Sequence, residues 1–321
     1  MLKYLMVVMM FKYTLDNKRY HTLNYYYKNK FGIKVFKVSL NAGFSCPNLD
    51  GTIGYGGCIY CSKSGSGEFG GDKSKSLTEQ FNEMKEVVNK KHIPCKYIGY
   101  FQARTNTYAD TQTLRKKYEE ILAIPDVIGL NIATRCDAIS DECLDYLTEL
   151  NKRTHLTIEL GLQTIHERTS KLINRCHSLE QFDSMVHKLR ERHINVVVHI
   201  INGLPYESVD MMLDTVRHIN TLDIQGIKIH MLHVINNSPL GTLYKQNNFP
   251  LLSLEEYVKI VVDQLRHLPP NIVIHRITGD ADKNELLAPI WTLKKFVVMN
   301  EIDKLMRKEN YYQGDLYVQN R

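Results

Sequence analysis

Three cysteines share one loop. Cys46, Cys58 and Cys61 are spaced C-x11-C-x2-C. Thiolates in such an arrangement hold either an iron–sulfur cluster or a zinc ion. Three thiolates on a four-iron cluster leave one iron open, the condition of a catalytic metal. A structural zinc instead needs a fourth ligand to close its tetrahedron. Between the cysteines, Gly51, Gly54, Gly56 and Gly57 let the backbone wrap closely around a bulky inorganic core. A third reading is three ordinary cysteines, and the spacing alone leaves all three open.

The elements that must position this loop follow from the apolar pattern. Val35–Leu40 is strand-like, and the glycine-rich loop 41–72 leaves it. Helical stretches over Leu77–Lys90, Thr111–Leu122, Asp141–Asn151, Leu179–Arg192 and Val209–Leu222 then alternate with short apolar runs. Those runs are Tyr97–Phe101, Val127–Ala133, Leu156–Leu162, Val196–Ile201 and Ile227–His233. Strands that alternate with helices pair in parallel, and near-continuous apolar strands are buried on both faces. The expected fold is α/β, a partial (β/α)6 barrel spanning 34–240 and open on one side. Residues 1–33, rich in tyrosine, read as an N-terminal cover. Residues 241–321 read as a small C-terminal α/β extension, with helices over Leu254–Leu268 and Trp291–Lys308 and a strand over Ile272–Ile277.

Barrels of this kind carry their reactive groups on loops at the C-terminal ends of the strands. Cys46 follows the first strand, Gln102, Arg104 and Asn106 the second, and Arg135 and Asp137 the third. Glu159, Gln163 and Thr164 lie on and after the fourth, Gly203 and Glu207 after the fifth, and His230 and His233 on the sixth. A lone carboxylate in an apolar strand, such as Glu159, carries a desolvation cost unless it is paired. Arg135 beside Asp137 reads either as a ligand-binding cation or as one half of an ion pair. The two histidines read equally as hydrogen-bonded barrel residues or as ligands.

Composition excludes little. The chain has 321 residues, 43% hydrophobic and 24% charged, with a net charge of +6, which permits a polyanionic partner without requiring one. The seven cysteines are odd in number and scattered. That does not read as a disulfide framework, and a reducing cytosol is the expected setting. Cys95, Cys136, Cys143 and Cys176 read as small buried hydrophobes, although Cys136 and Cys176 fall in loops that can reach a cavity. None lies after Cys176, so no second cluster is expected. The apolar run Met1–Phe11 is far shorter than the ~20 residues that span a bilayer. Met9 and Met10 are alternative starts to Met1, and no membrane attachment is expected.

At this point the sequence resembles the radical SAM superfamily, and within it a bacterial branch related to the Elongator catalytic subunit. The matching stretches are SLNAGFSCPNLDGTIGYGGCIYC, GSGEF, YFQARTNTYA, GLNIATRCDAI, ELGLQT, INRCH, HIINGLPYE and APIWTLKK, spread over residues 34–298. The superfamily's commonest cysteine spacing is C-x3-C-x2-C, and the wider first gap is a feature of this branch. The resemblance implies a [4Fe–4S] cluster on Cys46, Cys58 and Cys61 that reductively cleaves S-adenosyl-L-methionine (SAM) and starts hydrogen abstraction. It implies Tyr60 near the adenine, Gln102 in place of the usual Gly-Gly-Glu contact to the SAM amino group, and Arg135 toward a carboxylate. Glu159, assisted by Gln163, is implied for the ribose hydroxyls, and Gly203 for the adenine stretch. The implied substrate is the C5 side chain of the tRNA wobble uridine, with processing of carboxymethylaminomethyl-uridine toward the aminomethyl form. A flavodoxin- or ferredoxin-like protein is the implied electron donor, and Lys294 and Lys295 are candidate RNA contacts. Two rivals stay open: a radical SAM enzyme on a small, porphyrin-like molecule, and a non-enzymatic zinc protein that binds RNA.

Overall fold

A computed structural model describes residues 11–14, 16–65, 67, 69–90, 93–247 and 249–318. The alternative starts Met1, Met9 and Met10, and Ser66 and Glu68 of the GSGEF stretch, lie outside the described residues. Among the described residues nine strands occur in chain order: β1 (Lys34–Leu40), β2 (Cys95–Phe101), β3 (Val127–Thr134), β4 (His155–Gln163), β5 (Asn195–Asn202), β6 (Gly226–Met231), β7 (Val234–Ile235), β8 (Val273–Arg276) and β9 (Leu286–Ala288). Seven of them form one parallel sheet in the order β1-β2-β3-β4-β5-β6-β8. The sheet curls into a partial barrel, since Lys37 on β1 reaches Glu159 on β4, and Lys228 on β6 reaches Tyr100 on β2, across the interior. The six expected strands are all present, and the strand expected in the C-terminal stretch continues the same sheet as its seventh member. β7 and β9 pair antiparallel beside it.

The helices start where the sequence offers caps. Ser76, Ser178 and Ser253 each close a capping box with Glu79, Gln181 and Glu256, and Asp110, Ser140 and Ser208 cap three further helices. Their apolar faces bury Phe81, Tyr118, Phe182 and Tyr257 against the outside of the sheet, each contributing roughly 1.5–3 kcal/mol.

The N-terminal cover contains a helix, Leu23–Phe31, that the tyrosine-rich sequence did not announce. It leans on both β1 and β8, the two ends of the open sheet. Just before it, the His21 carbonyl accepts from Ile274 N at 2.7 Å, so the chain's own start covers the exposed edge of β8. Among the described residues no helix is long and apolar enough to cross a membrane.

Candidate active site

Alternation along each strand points every second side chain into the barrel. Glu159, Gly161 and Gln163 on β4, His199 and Ile201 on β5, and Lys228 and His230 on β6 therefore face one interior cavity of about 760 Å³. The cysteine loop closes over the same cavity. Cys46, Cys58 and Cys61 are half-buried and line it together with Tyr60. The other four cysteines do not line it. Cys136 is buried and Cys176 is exposed on the far side of the loop.

Glycines shape the loop at the cavity mouth. Gly56 and Gly57 are consecutive left-handed residues, φ +75° and +76°, and carry the chain around the cavity mouth where a side chain would strain it. Among the described residues no three His, Cys, Asp or Glu side chains gather closely enough to hold one metal ion. A zinc ion draws its sulfurs to ~2.3 Å from one centre, whereas the thiolates of a four-iron cluster sit on different irons and stand further apart. The donor set is also right for a cluster. Burial pushes the Cys58 thiol up, and Arg135 beside it pulls the other way. Asn48 Nδ2 lies 3.6 Å from Cys58 Sγ, a donor to the thiolate. Three thiols lining one cavity, with an amide donor and a cation beside Cys58, are a donor set that suits a cluster.

Around the loop, Gln102, Arg135 and Gln163 line the cavity as the sequence placed them. Arg135 is held by Asp137 through Nε and Nη2, at 2.9 and 2.7 Å. Burial opposes its charge, but the Asp137 carboxylate outweighs this and raises its pKa. Gln163 ends β4 in the left-handed region, φ +61°, and folds its amide back over Gly161. A Cβ on Gly161 would meet Gln163 Nε2 at 2.4 Å, so a side chain there would push the Gln163 amide out of this position. Tyr60 packs on a small apolar cluster with Ile173, Leu204 and Leu232. Gly203 stands apart from the cavity, in a turn of φ +86° behind Leu232 and Leu252. Lys295 pairs with Asp280 at 2.7 Å on the cavity rim.

Glu159 is the hub of the interior. It is wholly buried and accepts from Asn131 at 2.7 Å, from Lys37 and His199 at 2.9 Å each, and from Lys228. Burial alone would raise its pKa, but Lys228, Lys37 and His199 together hold the carboxyl well below its usual range. Its oxygens are thus already committed, which removes it as a partner for ribose hydroxyls.

Two residues without an assigned role turn out to join the parts. Asn174 donates to the carbonyls of Tyr55 (3.1 Å) and Gly57 (2.8 Å) in the cysteine loop, and its own carbonyl accepts from Asn48. Its neighbour Arg175, 2% exposed, spends its guanidinium on the carbonyls of Leu162 (2.6 Å) and Thr164 (2.5 Å), on either side of Gln163, and on that of His177. The INRCH stretch is therefore a clasp between the thiolate loop and the end of β4. Such bonds to carbonyls leave no signature in sequence, since every residue offers one.

The sequence profile of the Radical SAM superfamily matches residues 53–219, and that of the Radical_SAM C-terminal domain matches 224–308. Cys46 precedes the first match and lines the same cavity as Cys58 and Cys61. The chain is similar to the protein YtqA of Bacillus subtilis, 48% identical over 96% of this chain and 95% of that protein. It is more distantly similar to a tRNA uridine(34) acetyltransferase of Methanocaldococcus infernus, 26% identical over 48% of this chain and 29% of that protein. An Elp3 structure from Methanocaldococcus infernus shares the fold with a TM-score of 0.67 at 18% identity, over 87% of this chain and 64% of that one. The profile match across half the chain, the near full-length relative and the shared partial barrel agree: the chain belongs to the radical SAM superfamily.

Proposed function

We propose that this radical SAM enzyme modifies the C5 side chain of the wobble uridine in tRNA, processing carboxymethylaminomethyl-uridine toward its aminomethyl form. The observation that carries the reading is the shared cavity, where three thiols and a deep polar wall face each other across one space. The similarity to an enzyme named for tRNA uridine 34 supports the RNA substrate, as do the net charge of +6 and the exposed Lys294 and Phe296 near the rim. An odd number of scattered cysteines, seven in all, supports a cytoplasmic setting.

When bound, a [4Fe–4S] cluster and SAM supply reductive cleavage of the SAM sulfur–carbon bond and, from it, hydrogen abstraction. The chain's part is to bind and orient. Cys46, Cys58 and Cys61 hold the cluster, and Asn48 steadies Cys58. Arg135, with Nε and Nη2 taken by Asp137, offers Nη1 to the SAM carboxylate. Gln102 meets the SAM amino group, and Gln163, rather than Glu159, meets the ribose hydroxyls. Tyr60 offers an apolar face to the adenine, and Gly203 shapes the wall behind Leu232. A ferredoxin- or flavodoxin-like protein delivers the electron.

Arg175 acts through Gln163. Arg175→Lys keeps the charge and loses the fork across two carbonyls. It is expected to weaken SAM binding by roughly 10- to 100-fold in calorimetry while iron content stays at the wild-type level. Equal SAM affinity in the variant would show that the clasp does not position the site.

The substrate is tested by comparing wobble-uridine nucleosides in tRNA from cells with and without the gene. The expected result is a gain of the carboxymethylaminomethyl form and a loss of the aminomethyl form. An unchanged profile would remove tRNA as the substrate.

A further inference from the structure

The deep wall of the cavity, opposite the cysteine loop, holds more positive charge than its own residues neutralise. One register row carries Gly161, His199, Lys228 and Arg276 across four neighbouring strands. Arg276 is answered by Asp280. Lys228 and Lys37 are not answered singly, because both converge on Glu159. Among the described residues, the other groups facing Lys228 bring no negative charge. Tyr100 accepts from its Nζ at 2.9 Å and lies under it as a ring face, 4.3 Å to the centroid. His199, His230 and His275 are all pushed toward the neutral form by burial. Two ammoniums therefore share one carboxylate in the barrel interior.

We propose that this wall is a carboxylate subsite, in which Lys228 and Lys37 receive the acidic end of the substrate's side chain. The inference rests on the proposed uridine substrate and deepens it. It names why the carboxymethylaminomethyl form is the one bound, and which end of it is anchored. Depth selects the anion. The Lys228 side chain is 8% exposed and that of Glu159 is fully buried, so only a narrow terminal group reaches them. A phosphodiester, flanked by sugars on both sides, is too bulky. The amide of Gln163 lies over Gly161 at the edge of this wall, and an anchored carboxylate shares the cavity with the thiols. Burial, with Lys37 adding to it, brings the Lys228 pKa down to about 7 against the pull of Glu159. An arriving carboxylate would restore its proton.

The test is calorimetric binding of two uridines to the SAM-loaded enzyme under anaerobic conditions: 5-carboxymethyluridine and its neutral amide, 5-carbamoylmethyluridine. A hydrogen bond to a charged group contributes ~1.5–3 kcal/mol, so the acid should bind roughly 10- to 100-fold more tightly than the amide. Its affinity should fall as pH rises through about 7, because the deprotonated amine no longer attracts it, while that of the amide stays level. Lys228→Met should erase the acid's advantage and keep the amide's affinity, which also reports that the variant is folded. Lys228→Arg should retain the advantage, and Lys37→Met should reduce it. Equal binding of acid and amide by the wild type, no binding of the acid, or an advantage that survives Lys228→Met would each overturn the subsite. A preference for the acid alongside unchanged wobble nucleosides in gene-deleted cells would keep the subsite and discard the tRNA substrate.

Discussion

Replacing Glu159 by alanine is expected to destabilise the fold by about 3–5 kcal/mol, the range for breaking a buried ion pair from one side. The reason is arithmetic of charge. Lys37 and Lys228 share this one carboxylate, and its removal leaves Lys37 without its buried partner and Lys228 without the charge that holds its proton. Urea unfolding of the wild type and the variant measures the difference. A loss under about 1 kcal/mol, the range of an exposed pair, would show that water reaches the hub and screens it. The pH dependence has a definite sign. The Glu159 carboxyl is held well below its usual range in the folded protein. Its stabilisation is therefore complete above the unfolded value of about 4.3 and fades as pH falls through the lower folded value. The variant should lack that acid limb.

Cys46→Ala is expected to remove the cluster altogether. Cys46 is the cysteine that the family profile leaves out, since the match begins at residue 53. The fold returns it to the site because the loop after β1 bends back over the cavity with Cys58 and Cys61. Iron and sulfide should fall from about four per chain to near zero after anaerobic reconstitution. Cys136→Ala and Cys176→Ala, which alter cysteines outside the cavity, should leave iron content unchanged. Full iron in the Cys46 variant would mean that another side chain completes the ligand set.

Much of the scaffold was legible because local chemistry and fold agree. The apolar runs ending at Leu40, Phe101 and Leu162 are strands because both faces are covered, and Ser76 and Ser178 start helices because they cap them. The site was legible where chemistry is concentrated in one loop, as with the three cysteines. It was not legible where partners are remote. Glu159 could be read as a carboxylate needing company, but Lys37 and Lys228 lie 122 and 69 residues away in sequence. In a one-dimensional reading each lysine merely interrupts an apolar strand, and only the barrel's curl brings them to one point. Arg175 was missed for a related reason, since its partners are carbonyls, and carbonyls are everywhere. Gly203 was drawn from a motif whose spacing this chain does not keep, and it lies behind the cavity wall. The helix Leu23–Phe31 lacks a strong apolar stripe because its aromatic residues spread around it, several of them packing on His155 at the start of β4.

The central claim is that Cys46, Cys58 and Cys61 hold a cluster with one iron open to SAM. Electron paramagnetic resonance of the anaerobically purified, chemically reduced protein, recorded with and without SAM, tests it most directly. The expected result is a brown protein with about four irons per chain and a cluster signal that changes when SAM is added, as an open iron gains ligands. A colourless protein holding a single zinc, or a cluster signal indifferent to SAM, would contradict it.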